Sequence, residues 1–247
     1  MPLKYFLTFL LFFACFGLGC RLLNLNQPEI IHYPKPELQV DASAFEIAGC
    51  QPGEYNRLDC SGVASITALE CDQIYLTGDL LGGLDPNLPL AQCEYVPYRH
   101  DQYDLEPFKG TYLFNSGCSM ASLVRYLAPK ENGFTLVHNT DELAKLFAPI
   151  ETPEEALSYA IATTGLSAVY DTDLPRSYRF LVDKIEDTHV AQTSTGYEVF
   201  LYDDYLCGCG PHTVSLVKVQ VTTEGKVSLM EPVPVYQDPK NDGLCID

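Results

Sequence analysis

The residues best suited to chemistry are cysteines set beside other reactive groups. Cys207-Gly208-Cys209-Gly210-Pro211-His212 places two thiols and an imidazole within six residues, with Cys245 further along. Thiolate sulfur and neutral imidazole are the donors a zinc ion prefers. In an oxidising compartment the same spacing instead yields two disulfides to separate partners, and both readings stay open. Asp59-Cys60-Ser61-Gly62-Val63 sets a thiol between a carboxylate and a hydroxyl. If a helix began there, its N-terminus would lower the thiol pKa and supply a thiolate nucleophile. Asn115-Ser116-Gly117-Cys118-Ser119-Met120-Ala121 offers a third thiol among small residues.

The Asp59–Val63 stretch resembles the nucleophile motif of NlpC-type cell-wall peptidases, which implies Cys60 as the nucleophile. That family's His-Val-Gly strand has no counterpart here. His100 lies in Tyr98-Arg99-His100-Asp101 and His138 in Val137-His138-Asn139. The Cys118 segment has a papain-like look, without the tryptophan of that family. Asp238-Pro239-Lys240-Asn241-Asp242-Gly243 opens like a calcium loop but puts Lys240 at the third ligand position. The pairs and trios Asp171/Asp173, Asp183/Glu186/Asp187 and Asp203/Asp204 read as solvated surface. No phosphate-binding glycine loop and no Gly-x-Ser-x-Gly elbow occurs. No catalytic residue, metal site or cofactor is therefore assigned.

The first twenty residues give an address. Lys4 precedes an apolar run from Tyr5 to Leu18, too short to span a bilayer, where roughly 20 apolar residues are needed. Residues 1–19 read as an export signal. Gly17-Leu18-Gly19-Cys20 resembles a bacterial lipobox, with Gly17 where that family usually has leucine; it implies a lipid on Cys20 at the outer face of a bacterial membrane. The small residues at 17 and 19 also suit the ordinary signal peptidase and a secreted or periplasmic product. Ten cysteines are present. Cys15 leaves with the signal, and removing Cys20 as the lipid site leaves an even set: Cys50, Cys60, Cys71, Cys93, Cys118, Cys207, Cys209 and Cys245. These eight are the disulfide candidates, with connectivity open. A net charge of −18 repels nucleic acid and acidic membranes. The expected partner is a protein or a small ligand, with membrane contact through the lipid anchor only.

These residues need a scaffold. A hydrophobic fraction of 47% predicts a folded chain with a proper core. Residues 20–44 carry Pro28, Pro34 and Pro36 and read as a semi-rigid tether. Residues 45–118 read as a disulfide-rich β unit with strands at Val63 to Leu69 and Ile74 to Thr77. Gly82-Gly83-Leu84-Asp85-Pro86 reads as a tight loop. Residues 119–247 read as an α+β domain. A hairpin pairs residues 123–127 with 134–138 about Asn132-Gly133, and Thr140 caps a short helix ended by Pro149. Thr152-Pro153-Glu154-Glu155 opens a second helix with Leu157, Ala160, Ile161 and Thr164 on one face and Gly165 at its end. Strands follow at Tyr178 to Ile185, His189 to Thr193, Tyr197 to Tyr202, Thr213 to Val221 and Val227 to Val235. The fold class is α+β: a disulfide-rich β unit, then helix plus antiparallel meander. Thr152 to Val235 resembles the PepSY and cystatin-like architectures, where a helix lies across an antiparallel sheet. The whole chain, with Leu146-Phe147-Ala148-Pro149-Ile150-Glu151 and the terminal Cys245-Ile246-Asp247, also resembles an uncharacterised family of bacterial exported proteins, which implies no activity.

Overall fold

A computed structural model describes residues 27–204 and 206–246. The expected signal and Cys20 lie outside the described residues. The fold is α+β; the described residues form two large antiparallel sheets, three two-stranded pairings, four short-to-medium helices and four disulfides.

The first sheet has five strands. Its path runs Gln73–Leu76, Ala91–Tyr95, Ser122–Lys130, Phe114–Ser116, with Gly133–Val137 also paired to Ser122–Lys130. The expected hairpin is present, but its strands run to Lys130 and from Gly133, so the loop is two residues and Pro129 sits in the ladder opposite Phe134. The positive φ that closes the turn falls on Gly133 at 116°, where glycine alone is unstrained. This sheet runs across the boundary expected after Cys118, since Phe114–Ser116 pairs with Ser122–Lys130.

The second sheet follows the order His189–Thr193, Gly196–Asp203, Thr213–Thr222, Val233–Gln237, Arg179–Phe180, with Val227–Leu229 paired to Thr213–Thr222. The pair about Gly196 is as expected. Two long strands expected from sequence are broken. Tyr178 to Ile185 divides into Arg179–Phe180 and Lys184–Glu186, which join different sheets. Val227 to Val235 is interrupted between Leu229 and Val233, both pieces pairing with the same neighbour. Pro232, inside the gap, cannot donate to a ladder, which explains the break, while Pro234 sits in the ladder opposite Ser215.

Between the sheets lies the helix Pro153–Thr164. Thr152 accepts from the Glu155 amide and the Glu155 carboxylate returns the bond, a complete capping box, and Gly165 at φ 68° ends the helix. One apolar face was expected. Instead residues from Glu155 through Ala160, and Ala162 and Thr163, are all buried, because the helix is covered on several sides. Its residues share one apolar cluster with Leu81, Leu84 and Leu90 of the first unit and with Val199, Leu201 and Val219 of the second sheet. The preceding helix, Thr140–Phe147, is capped by Asn139 rather than Thr140: the Asn139 side chain accepts from the Glu142 amide at 3.0 Å.

The segment expected to be a tether is part of the fold. Glu29–Ile31 pairs in parallel with Lys184–Glu186. Further on, the Gln39 backbone lies against Gly82 so closely that a Cβ at position 82 would collide with it. Tyr33 stacks on His189, which stacks on Phe200. Among the described residues no helix is long and apolar enough to cross a membrane.

Candidate functional site

The site is built on a small hairpin. Gln51–Pro52 pairs with Leu58–Asp59, and the disulfide Cys50–Cys60 closes its base with the Cα atoms 4.3 Å apart. The Gly53 amide donates to the Arg57 carbonyl at 2.7 Å. To reverse the chain in so few residues, Tyr55 and Asn56 take φ of 55° and 61°. Such left-handed conformations cost a non-glycine residue about 1–3 kcal/mol each. Tyr55 nevertheless points outward, 91% exposed. Bonding between Arg57 and Tyr75 joins the hairpin to the sheet edge, and Cys71–Cys93 ties that edge strand to its neighbour.

Below the hairpin lies a depression of about 700 Å³, lined by Arg57, Asp59, Cys60, Ser61, Asp72 and Gln73 among others. A smaller hollow of about 360 Å³ shares Cys71 and Asp72 with it and adds Glu70, Tyr95, His100 and Gln102. Asp72 is the common post. Its Oδ2 accepts from the Val96 amide at 2.7 Å, and both carboxylate oxygens lie 3.1 Å from His100 Nε2. The Tyr95 ring stacks on His100 with centroids 4.7 Å apart, and its hydroxyl donates to Gln102. The Arg125 guanidinium carbon sits 5.2 Å from the Tyr95 centroid. Burial draws Arg125 below the usual guanidinium range, opposed by the charges of Tyr95, Glu70 and Asp72; the group stays charged. At the hairpin base, the Ser61 amide donates to Asp59 Oδ1 at 3.0 Å and holds that carboxyl below its ordinary range. The arrangement is a set of fixed donors and acceptors around a hollow. The two sulfurs in its lining, Cys60 and Cys71, are both oxidised.

The expected cysteine chemistry disperses accordingly. Cys60 lies in the depression, but bonded to Cys50, so it holds no thiolate. Val63 to Leu69, read as a strand, contains the helix Ala64–Thr67, one turn held between the Cys60 and Cys71 crosslinks. Cys118 pairs with Cys207 and Cys209 with Cys245. The zinc reading of Cys207, Cys209 and His212 is thereby corrected: the sulfurs belong to separate crosslinks, and His212, buried, places Nε2 3.2 Å from the Leu244 carbonyl. Among the described residues no three His, Cys, Asp or Glu side chains are grouped to hold a metal ion. All eight disulfide candidates are paired.

Asp72, Tyr95, Gln102 and Tyr55 were missed as site residues. The available signal was thin: Asp72 follows a cysteine, and His100 was noticed only as a histidine downstream of Cys60. Their proximity depends on a ladder pairing Gln73 with Glu94, which no local pattern announces. Comparison of the chain with protein-family models, with curated proteins and with solved structures gave no match.

Proposed function

We propose that this is an exported binding protein, held at its membrane by lipid on Cys20, that presents the disulfide-braced depression to a ligand. The observation that carries the reading is the complete pairing of the eight cysteines, including the two in the depression. Four disulfides fit an oxidising compartment. A thiol peptidase needs a thiolate where Cys60 is crosslinked, whereas reversible recognition needs fixed polar groups on a stapled surface. Asp72, His100 and Asp59 supply such groups, each held by a hydrogen bond within the fold.

The test is a thiol count on unreduced mature protein, by alkylation and intact mass, together with the mass of the N-terminal peptide. The expected result is no alkylated cysteine and an acylated Cys20. One fast-reacting thiol at Cys60 would replace the binding reading with the peptidase reading.

A further inference from the structure

We infer that the depression takes a neutral oligosaccharide. This rests on the binding reading above and names the ligand class of the same site. A sugar ring offers a patch of C–H groups that lies flat on an aromatic face, and a rim of hydroxyls that each donate and accept. Its site therefore needs exposed aromatic rings beside rigid polar groups of both kinds.

Both are present, on the same loops. Among the described residues Tyr55 at 91% and Tyr103 at 81% are markedly exposed, and Tyr98 is about one-third exposed at 36%. Tyr55 lies between Gly53 and Arg57, which line the larger hollow. Tyr98 and Tyr103 bracket His100 and Gln102, which line the smaller one. Most exposed aliphatic side chains, Leu181, Leu229, Met230 and Val233, belong to the second sheet or its approach, while Ile47, 84% exposed, stands just before the hairpin and adds an apolar contact beside it. Tyr55 stands at the tip of a closed, crosslinked hairpin whose tight turn sets its left-handed φ, so the loop fixes the ring's position and leaves it exposed to solvent.

The lining has the matching chemistry. Asp59 and Asp72 accept, Arg57 donates, and Gln73, Gln102 and Ser61 do both. Asp59 and Asp72 are fixed in place by amides before any ligand arrives, which lowers the ordering cost of binding. The larger hollow, about 700 Å³, falls in the range of roughly 300–1,000 Å³ usual for ligand pockets. A protein partner would seat an aromatic or aliphatic anchor at a desolvated apolar centre. Here the exposed tyrosines stand on the loops beside the hollows, and charged and amide side chains share the lining with Leu58, Ile66 and Ile74. The chain's charge of −18 disfavours anionic ligands, which makes the sugar a neutral one.

The test titrates mature, disulfide-bonded protein with tetrasaccharides of glucose, mannose, galactose and N-acetylglucosamine, and with a uronic-acid tetrasaccharide, by calorimetry and saturation-transfer NMR. The expected result is binding of at least one neutral probe with a Kd below about 1 mM, weakened about tenfold or more by Tyr55→Ala and by Asp72→Asn. Tyr55→Ala should melt close to wild type, because it removes an exposed ring and leaves the backbone strain of that position as it was. Binding of the acidic probe alone, binding indifferent to both substitutions, or no binding of any neutral probe would each overturn the sugar assignment. In those cases a protein without a reactive thiol keeps the binding reading. A reactive thiol at Cys60 removes that reading itself.

Discussion

His32 Nδ1 and Asp187 Oδ2 lie 3.0 Å apart across 155 residues of sequence, and this pair latches the N-terminal segment to the body of the protein. Asp187, expected on the solvated surface, is instead fully buried. It also accepts from the Thr172 hydroxyl at 2.5 Å, the Thr172 amide and the Tyr33 amide. Burial alone would raise its pKa, but the bonds from Thr172, His32 and Tyr33 outweigh burial and hold the carboxyl below its ordinary value of 3.8. Burial and then the Asp187 charge push the nearby Tyr170 phenol up to about 12. A carboxyl whose folded pKa is depressed stabilises the fold above its unfolded pKa and loses that contribution as pH falls through the folded value. Asp187→Ala is expected to cost about 2 kcal/mol at pH 7, because it takes the acceptor from the Thr172 hydroxyl and the Thr172 and Tyr33 amides, while His32, more than half exposed, turns to water. It should also flatten the loss of stability between neutral pH and pH 3, read from urea midpoints at both. An equal acid sensitivity in wild type and variant would sink this account.

The hairpin staple makes a separate prediction. Cys50 and Cys60 close a short loop, and in the chain-entropy view a loop of 15 residues contributes about 3 kcal/mol. The separation here is 10 residues, so Cys50→Ser with Cys60→Ser is expected to cost about 2–3 kcal/mol. Hydrogen exchange should locate the loss. Amides from Gly53 to Ser61 are expected to exchange faster by orders of magnitude, while the Pro153–Thr164 helix, which belongs to a different apolar cluster, keeps most of its protection. Uniform loss across both would show that the staple acts on the whole chain.

Part of this was readable in advance, and the division follows sequence distance. The Thr152 capping box and the turn at Gly196 are local patterns whose chemistry lies within a few residues, and both stand in the structure. The cysteines announced an oxidised fold but not their pairs. Val63 to Leu69 has strand-like composition yet contains a helical turn, because crosslinks on either side leave it no strand partner. The N-terminal segment, polar and proline-bearing, looks like a spacer until Lys184–Glu186 supplies a strand to pair with. Asp72 and His100 meet only because an antiparallel ladder folds the chain back between them. Their spacing of 28 residues carries no period that a reader of the sequence would recognise.

Ser158 tests how the two units are joined. Wholly buried on the central helix, it donates to the Leu80 carbonyl at 2.5 Å and accepts from the Gly83 amide at 3.1 Å. Both partners lie at the short 3₁₀ turn Asp79–Gly83. Ser158→Ala removes one buried hydroxyl and, with it, the bonds it makes to the half-buried Leu80 carbonyl and Gly83 amide, at about 1–2 kcal/mol. Ser158→Gly should cost about 1 kcal/mol more, since it adds the helix penalty of glycine. Differential scanning calorimetry of both variants checks the ordering, and a Ser158→Ala protein that melts with wild type would deny the hydroxyl this bridging role.

The margin of the second sheet carries the last prediction. Residues 228–234 are all exposed, with Leu229, Met230 and Val233 from 46% to 59% exposed. An apolar, open margin of this kind is a template for strand addition and hence for self-association. Three features oppose that here: Pro232 and Pro234 have no amide to donate, and Glu231 puts a charge between the apolar side chains. Replacing both prolines by threonine restores two donors and raises β-propensity without adding apolar surface. Pro232→Thr with Pro234→Thr is therefore expected to associate more strongly than wild type at about 100 μM, seen as a higher weight-average mass in light scattering, while Glu231→Lys in the same background, which keeps a charge there, should associate about as much. If the double variant scatters as wild type does, the prolines shape only the bend between the two strand pieces and have no part in keeping the edge solitary.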